Sequence, residues 1–389
     1  MDLLEALSRW TTDILPSREE FLKVIQQKKL VIYHGVDPTG PDLHLGHSTN
    51  LLLMRAFQDA DHHVILLFGD FTARIGDPTD KTATRKALTE EEIQINLATY
   101  KEQASKILRF EGENPVEIRF NNDWLGKMPA ADFLTLASHI THQQLIERDM
   151  FQKRIQEGKN IFMHELLYPL FQGYDSVAMK VDAEIGGRDQ LFNMMVGRNL
   201  VKDYLKKEKF VITTPLLINP KTNKKLMNKS EGTYIAINDS PEEMFNKIMS
   251  MPDEVVKTCF IYCTTLLMAE IQSIKMPAMD TKKRLAWEIV KFYHDEKAAN
   301  EAQENFSRVF QQKEAPDNIT EIKVGQSEVD LINLLTENNL AKSRGEAKRL
   351  LTDGALELDS QVITNSTASI KSDAVLKIGK HRFVKLVVS

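Results

Sequence analysis

Short apolar runs alternate with amphipathic stretches along the first half of the chain. Four apolar runs end in polar turns and predict buried strands, at residues 30–37, 62–70, 116–120 and 210–218. Helical spacing of apolar positions predicts helices at 1–29, 45–59, 89–108 and 130–175, the last as two long helices. Residues 181–200 read as a turn followed by a helix. Strands that alternate with helices indicate an α/β fold with a mainly parallel sheet.

The second half has a different pattern. Residues 241–313 are almost wholly helical, residues 312–326 form a polar stretch that reads as a linker, and residues 353–388 are short strands that end in a hairpin pattern. We therefore expect an α/β domain, a helical domain and a small α+β domain. The expected bounds are 1–235 with a helical insertion at about 125–165, then 236–320, then 327–389.

Composition narrows the class of protein. The 389 residues are 42% hydrophobic and 27% charged, which is typical of a globular protein. The net charge of −5 argues mildly against an acidic partner such as nucleic acid. Cys259 and Cys263 are the only cysteines, so the chain has no disulfide framework and no four-cysteine zinc site. The mixed-charge N-terminus resembles neither a signal nor a transit peptide, which favours a cytoplasmic location.

Histidines follow the first predicted strand of the α/β domain. No GxGxxG motif is present there, and Asp80 stands where a P-loop needs glycine. His44 and His47 share one face at the start of a helix, and Gly46 between them leaves room for a ligand ring. Oriented N–H groups and two imidazoles suit phosphoryl oxygens. The alternative is that the histidines only cap the helix.

A lysine-rich loop follows a late strand. Lys224, Lys225 and Lys229 precede Ser230, and such charges can neutralise a triphosphate. A solvated basic loop is the alternative. Together, His44-Leu45-Gly46-His47 and Leu226-Met227-Asn228-Lys229-Ser230 resemble the HIGH and KMSKS signatures of class I aminoacyl-tRNA synthetases. The second signature departs from the pattern, because Leu226 occupies the first lysine position, where Lys225 is a candidate substitute.

Four further segments resemble bacterial-type tyrosyl-tRNA synthetases: YHGVDPTGPDLHLGH, IGDPTDKTATR, LLYPLFQGYD and AEIGGRDQ. The resemblance covers nearly the whole chain and implies a Rossmann-like catalytic domain and a tyrosine–tRNA ligase. It assigns the tyrosine pocket to Tyr33, Asp77, Tyr168, Gln172, Asp175 and Gln190. Independently, the spacing of Tyr168, Gln172 and Asp175 puts them on one helix stripe, with a solvated face as the alternative. A pocket that hydrogen-bonds a hydroxyl can reject phenylalanine without editing.

The resemblance also implies the nucleotide site and the reaction. Its ATP-binding residues are Gly35, Asp37, Thr39, Gly46, Gly186, Gly187, Asp189, Met227, Lys229 and Ser230. Tyrosine attacks the α-phosphorus of ATP, and the tyrosyl group then passes to the 3′ end of tRNA(Tyr). The implied catalytic residues are His44, His47, Lys229 and Lys225, which stabilise charge. Mg²⁺ accompanies ATP, and no protein-bound metal is expected.

The C-terminal segment AKSRGEAKRLLTDGALELDSQVI resembles an RNA-binding domain shared with a ribosomal small-subunit protein. Residues 327–389 contain 9 Lys and Arg against 8 Asp and Glu, so contacts to RNA must come from local clusters. The expected tRNA contacts are Lys81, Arg85, Lys342, Arg344, Lys348 and Arg349, with further basic residues at 377–385. A solvated basic face is the alternative.

Family membership implies a homodimer, with the apolar stretch 131–140 as a candidate interface or, alternatively, ordinary core. Two other functions remain open at this point. A tryptophanyl-tRNA synthetase has a related core, although Tyr33, Asp175 and the RNA-binding tail speak against it. A synthetase-derived RNA-binding protein without ligase activity is compatible with the altered 226–230 loop.

Overall fold

A computed structural model describes residues 1–79, 88–227, 234–308, 320–325, 328–338, 340–341, 343–359, 361–370, 372–379 and 382–388. The chain forms two compact units. The first comprises Met1–Ser240 with Lys247–Tyr293, and the second comprises Pro241–Asn246 with His294–Ser389. Among the described residues, no helix has the length and apolar character needed to cross a bilayer.

A six-stranded sheet forms the centre of the first unit. Its strands are β1 (Ile14–Leu15), β2 (Val31–Val36), β3 (His63–Phe68), β4 (Glu117–Phe120), β5 (Ala183–Gly187) and β6 (Phe210–Thr214). The order is β1-β6-β5-β2-β3-β4, and every pairing except that of β1 with β6 is parallel. The prediction of an α/β fold is confirmed. The chain reverses its direction of travel across the sheet between β2 and β5, which is where ligands bind in such folds.

Helices cover this sheet and extend beyond it. Up to β6 they are α1 (Leu3–Trp10), α2 (Arg18–Gln27), α3 (Leu45–Asp59), α4 (Glu90–Ser105), α5 (Asn122–Leu125), α6 (Ala130–Ala137), α7 (His142–Ile146), α8 (Asp149–Gln156), α9 (Met163–Ala178) and α10 (Leu191–Leu205). Then follow α11 (Pro241–Met249), α12 (Val256–Cys263), α13 (Met268–Ser273), α14 (Ala278–Tyr293) and α15 (Glu296–Phe306). The helical pattern predicted after residue 241 is thus confirmed as far as Phe306.

Three local predictions are wrong. One helix over 1–29 is two helices: α1 ends at Trp10, Pro16 in the connecting segment cannot lie in a helix interior, and the Ser17 side chain caps α2 by accepting from the Glu20 N–H. The two helices over 130–175 are four, since a Thr141–Gln144 capping box starts α7 and Gly158, at φ 65°, follows the end of α8. The segment 181–200, predicted as a turn followed by a helix, begins with strand β5 instead of a turn.

Arg9 joins α1 to the end of α12. The guanidinium is 6% exposed and donates to the backbone oxygens of Phe260, Ile261, Thr264 and Leu266. These carbonyls lie at and beyond a helix C-terminus, where the helix offers no donors of its own. Burial lowers the pKa of Arg9 to about 10, so the group remains charged at neutral pH. Helix α12 also contacts α3, whose Thr49 donates to the Tyr262 oxygen over 3.1 Å.

Replacing Arg9 with Met should lower the free energy of unfolding by about 3 kcal/mol or more, because several buried carbonyls lose their donors together. Urea denaturation of the full chain measures this loss. A Lys23→Met variant on the exposed face of α2 is the control and should change the free energy by less than about 0.5 kcal/mol. Equal midpoints for both variants would contradict the anchoring role of Arg9.

The C-terminal part of the second unit has its own sheet and core. Its elements are β7 (Thr320–Val324), β8 (Glu328–Asp330), α16 (Leu331–Glu337), α17 (Arg344–Thr352), β9 (Leu356–Leu358), β10 (Gln361–Val362), β11 (Thr367–Ser369), β12 (Ala374–Ile378) and β13 (Arg382–Val388). The predicted hairpin is confirmed as β12 and β13. The predicted linker is wrong over β7, which pairs in parallel with β13 and adds Ile322 and Val324 to the core.

Candidate active site

A cavity of about 910 Å³ opens at the carboxyl ends of β2 and β5. Most of the predicted tyrosine, ATP and catalytic residues line it: Tyr33, Gly35, Asp37, Thr39, His44, Gly46, His47, Asp77, Tyr168, Gln172, Asp175, Gly186, Gly187, Asp189, Gln190, Lys225 and Met227. Lys229 and Ser230 lie outside the described residues. The fold thus brings together, around one space, residues that are up to 194 positions apart in sequence (from Tyr33 to Met227, 227 − 33 = 194).

The two histidines combine a structural and a chemical capacity. His44 is the N-cap of α3, and its Nδ1 accepts from the Gly46 N–H over 3.1 Å. Nδ1 of His47 accepts from the His44 N–H over 3.1 Å, and the rings stack with centroids 3.9 Å apart. Because Nδ1 is an acceptor in both, each neutral ring carries its proton on Nε2 and can donate from that atom. Capping and ligand contact are therefore compatible.

Close approach explains the glycine between the histidines. A β-carbon at Gly46 would lie 2.8 Å from Cε1 of His44, so any larger residue would displace the ring. The segment that follows the lysine-rich loop also holds this region, since Leu45 N–H donates to the Ile235 oxygen and Ile237 N–H donates to the Leu43 oxygen. Both sides of residues 228–233 thus contact the site, at Met227 and Ile235.

Polar side chains of α9 and α10 form a hydrogen-bond chain along the cavity. Tyr168 donates to Asp37 Oδ2 over 2.8 Å. Gln190 donates to Asp77 Oδ2 over 2.6 Å. Asn193 donates to both Gln190 Oε1 and Gln172 Oε1, over 3.1 and 2.9 Å. These contacts fix the orientations of the predicted tyrosine-binding side chains.

Tyr33 and Asp175 lie at the inner end of the cavity and are 1% and 2% exposed. Asp175 accepts from Trp124 Nε1 over 2.8 Å and from Asn121 Nδ2 over 3.2 Å. Burial raises the pKa of Tyr33 well above its ordinary value, so the phenol is neutral. Burial likewise raises the pKa of Asp175, against the hydrogen bonds from Trp124 and Asn121. A buried acceptor at this depth suits a ligand hydroxyl.

The nucleotide side contains a pair of opposite charges. Lys225 Nζ donates to Asp189 Oδ2 over 2.8 Å, and their side chains are 43% and 20% exposed. Gly186 and Gly187 lie beside them, where β-carbons would come within 2.8 Å of Met194 Sδ and 2.6 Å of Asp189 Oδ1. Among the residues that the structure describes, no group of three or more His, Cys, Asp or Glu could hold a metal ion.

Three of the six predicted tRNA contacts fall among the described residues. Lys81, Arg85 and Lys342 lie outside the described residues. Arg344, Lys348 and Arg349 are exposed on α17, where Arg344 donates to Asn333 Oδ1. On the strands, Lys377 pairs with Glu357 and Lys385 pairs with Glu321, both at 2.8 Å. Within the described part of the tail, helix α17 therefore presents the more accessible positive charge.

Sequence reasoning missed several polar residues that contact the predicted site. They are His34, Asn121, Trp124, Ser176, Glu184, Asn193 and Lys209. His34 Nδ1 hydrogen-bonds the Ile185 oxygen over 2.9 Å, and burial lowers the pKa of this histidine. Glu184 lies in strand β5, where the sequence predicts a turn. A strand prediction there would have placed its side chain beside that of Tyr33, its register partner.

Comparisons with known proteins identify the family of the chain. The family described as tRNA synthetases class I (W and Y) matches residues 26–311. Tyrosine–tRNA ligase of Thermotoga maritima is 43% identical over 98% of this chain and 96% of its own. Tyrosine–tRNA ligase 2 of Pseudoalteromonas translucida is 42% identical over 100% of both chains.

Solved structures show the same fold at lower identity. A C-terminally truncated mitochondrial tyrosyl-tRNA synthetase of Aspergillus nidulans superposes with a TM-score of 0.68 at 23% identity, covering 79% of this chain and 94% of that one. A tyrosyl-tRNA synthetase from Archaeoglobus fulgidus, complexed with L-tyrosine, gives 0.60 at 21%, covering 78% and 100%. The cavity, the family match and the full-length relatives lead to one conclusion: the chain belongs to the class I tRNA synthetases of the W and Y family.

Proposed function

We propose that the chain is a tyrosine–tRNA ligase, which activates L-tyrosine with ATP and transfers it to the 3′ end of tRNA(Tyr). The observation that carries this proposal is the composition of one cavity. Tyr33 and Asp175 lie at its inner end, while His44 and His47 lie where α3 begins. Relatives named tyrosine–tRNA ligase, 40–43% identical over nearly the whole chain, support the same function.

Tyrosine would bind with its side chain toward the inner end of the cavity. Its hydroxyl meets Tyr33 and Asp175, and its ammonium meets Asp77, Tyr168 and Gln172. Gln190 orients the carboxylate side of the substrate through its bond to Asp77. Phenylalanine in this place would leave buried polar groups without a partner, which disfavours it by ~10⁴–10⁵-fold in comparable sites.

ATP would occupy the space between α3 and the turn after β5. Asp189 takes the ribose, Gly186 and Gly187 allow the base to approach, and the backbone near Gly35, Thr39 and Gly46 meets the nucleotide. In the structure Asp189 is paired with Lys225, and the ribose of ATP would take the place of Lys225 beside Asp189. Lys225 is then available to the phosphates, in place of the lysine that Leu226 displaces.

The chemistry requires no protein nucleophile. The tyrosine carboxylate attacks the α-phosphorus, pyrophosphate leaves, and the 2′- or 3′-hydroxyl of the terminal tRNA adenosine later accepts the tyrosyl group. Nε2 of His44 and His47, with Lys225 and Lys229, stabilises the charge that develops on the phosphates. Mg²⁺ would arrive bound to ATP, since magnesium in such sites is held largely by substrate phosphates.

The remaining proposals concern partners. The tail binds tRNA through α17, with Lys81 and Arg85 near the acceptor end of the tRNA.

Exposed apolar side chains on α6 and α9 suit a homodimer interface; Leu134 is 69% exposed and Met163 is 71% exposed. Sedimentation should then give twice the chain mass of 44.4 kDa. A cytoplasmic location goes with this function, because charged tRNA is consumed by ribosomes.

The direct test is charging of a bacterial tRNA pool by the purified chain with labelled tyrosine and ATP. Label should enter tRNA with tyrosine and not with tryptophan. Omitting ATP is the blank for this assay. Charging with tryptophan, or with neither amino acid, would refute the proposed function.

Deleting the tail gives a separate prediction. A chain that ends before β7 should retain tyrosine-dependent ATP–pyrophosphate exchange within about threefold, because the cavity lies wholly in the first unit. Charging of tRNA should fall by at least ~10²-fold, since phosphate contacts of the tail are lost. The matched control for α17 is a full chain with Lys348→Gln and Arg349→Gln. It should lose less tRNA charging than the deletion does, and its pyrophosphate exchange should not change.

A further inference from the structure

A fully buried ion pair closes the inner end of the tyrosine pocket. The side chains of Glu184 and Lys209 are 3% and 0% exposed, and Lys209 Nζ donates to a Glu184 carboxylate oxygen. Lys209 also donates to Ser176 Oγ over 2.8 Å. Glu184 accepts from Gln172 Nε2 over 3.0 Å, and Lys209 Nζ lies 5.8 Å from the centroid of the Tyr33 ring. The pair thus contacts two predicted tyrosine-binding residues.

Sheet register brings these groups together. Tyr33 on β2 and Glu184 on β5 are register partners, so their side chains lie side by side on one face. Lys209 immediately precedes β6, the next strand. Its ammonium fits only because position 197 on α10 is glycine, where a β-carbon would lie 2.7 Å from Nζ. The ammonium therefore occupies a space that the backbone of α10 leaves open.

Glu184 determines which way the carboxamide of Gln172 points. An ionised carboxylate only accepts hydrogen bonds, so Gln172 must turn its NH₂ group toward Glu184. Its oxygen then points to Asn193, which donates over 2.9 Å, and keeps a second lone pair. That orientation presents an acceptor, which is the group that a substrate ammonium needs.

Lys209 also reaches Tyr33 through the hydroxyl of Ser176. Lys209 donates to Ser176 Oγ over 2.8 Å, and Ser176 Oγ shares a hydrogen bond of 2.9 Å with Tyr33 Oη. Within these contacts the phenol oxygen retains acceptor capacity toward the cavity. A ligand that brings a hydroxyl proton fits this arrangement, whereas a bare ring does not.

We propose that Glu184 and Lys209 are positioning residues for the amino-acid substrate, which fix Gln172 for the ammonium and Tyr33 for the hydroxyl. The inference rests on the proposed function and adds to it a pair that specifies how the pocket recognises tyrosine. Stability alone does not require this pair, since buried ion pairs can generally be replaced by neutral side chains of similar size without loss of folding.

The test uses the full chain with both charges removed, as Glu184→Gln with Lys209→Met, so that no lone charge stays buried. Tyrosine-dependent ATP–pyrophosphate exchange should show KM for tyrosine raised at least about tenfold and KM for ATP changed by less than about threefold. The preference for tyrosine over phenylalanine should fall at least about tenfold. Glu208→Gln, which removes a charge from the surface pair with Arg198, is the control and should leave these values unchanged.

Equal KM values for tyrosine in the wild-type chain and the double variant would overturn the inference. So would an equal rise of KM for tyrosine and KM for ATP in the double variant. Absence of tyrosine-dependent exchange in the wild-type chain would instead refute the proposed function. Should the double variant fail to fold, Ser176→Ala breaks only the link from Lys209 to Tyr33. It should raise KM for tyrosine about threefold or more, and an unchanged KM would again overturn the inference.

Discussion

Replacing His44 with Asn is expected to lower kcat for tyrosine activation by roughly 10²–10³-fold while KM for tyrosine and ATP changes little. The reason is that an Asn side chain can still cap α3 through the Gly46 N–H, as His44 does over 3.1 Å, but has no group at the position of Nε2. The loss should therefore fall on the transition state. Pre-steady-state formation of tyrosyl-adenylate measures it directly.

His44→Ala separates capping from catalysis. This variant loses both the cap and Nε2, so kcat should fall as far as in His44→Asn while the free energy of unfolding drops by about 1 kcal/mol more. Thermal melting of the two variants gives the comparison. Near wild-type kcat in His44→Asn would mean that the ring is only a cap, which was the alternative open from the sequence.

Asp175→Asn should cause the largest change in specificity. The carboxylate accepts from Trp124 and Asn121 and lines the cavity beside Tyr33, whereas an amide must turn its NH₂ group toward one of these donors or toward the ligand. We expect kcat/KM for tyrosine to fall by about 10³-fold and that for phenylalanine to change far less. Exchange assays with both amino acids measure the ratio, and Tyr33→Phe should reduce it by a smaller factor.

The pH dependence of unfolding shows whether Asp175→Asn removes a titrating carboxyl group from the folded chain. Burial raises the pKa of Asp175 in the folded chain above its unfolded value. The folded chain thus binds this proton more tightly, so the associated stability is present at low pH and is lost as pH rises through the raised pKa. Asp175→Asn lacks this loss and should melt with less pH dependence than the wild-type chain.

A preference for tyrosine over phenylalanine that survived the Asp175→Asn substitution would contradict the role assigned to Asp175.

Local patterns were sufficient to predict much of the fold. Apolar runs marked β2, β3, β4 and β6, and the helix predicted over 89–108 is α4, which begins at a Thr89–Glu92 capping box. Resemblance to known motifs then predicted that side chains far apart in the chain belong to one site. Each apolar run and each motif is itself a short stretch of sequence, which is why it could be recognised from the sequence alone.

Features that depend on distant residues could not be predicted. The strand AEIGG has two glycines and a charge, and it is a strand because it lies between β2 and β6, where Lys209 pairs with Glu184. The Arg9 contacts to α12 join residues more than 250 positions apart. Likewise, β7 looked like linker because its partner β13 is about 60 residues later in the sequence (Thr320 with Val384).

The central claim is that this cavity selects tyrosine and activates it. ATP–pyrophosphate exchange by the purified chain with each of the twenty amino acids tests that claim most directly. We expect exchange with tyrosine, and with phenylalanine a kcat/KM at least ~10⁴-fold lower. Exchange that depends on tryptophan, or no exchange with any amino acid, would contradict it.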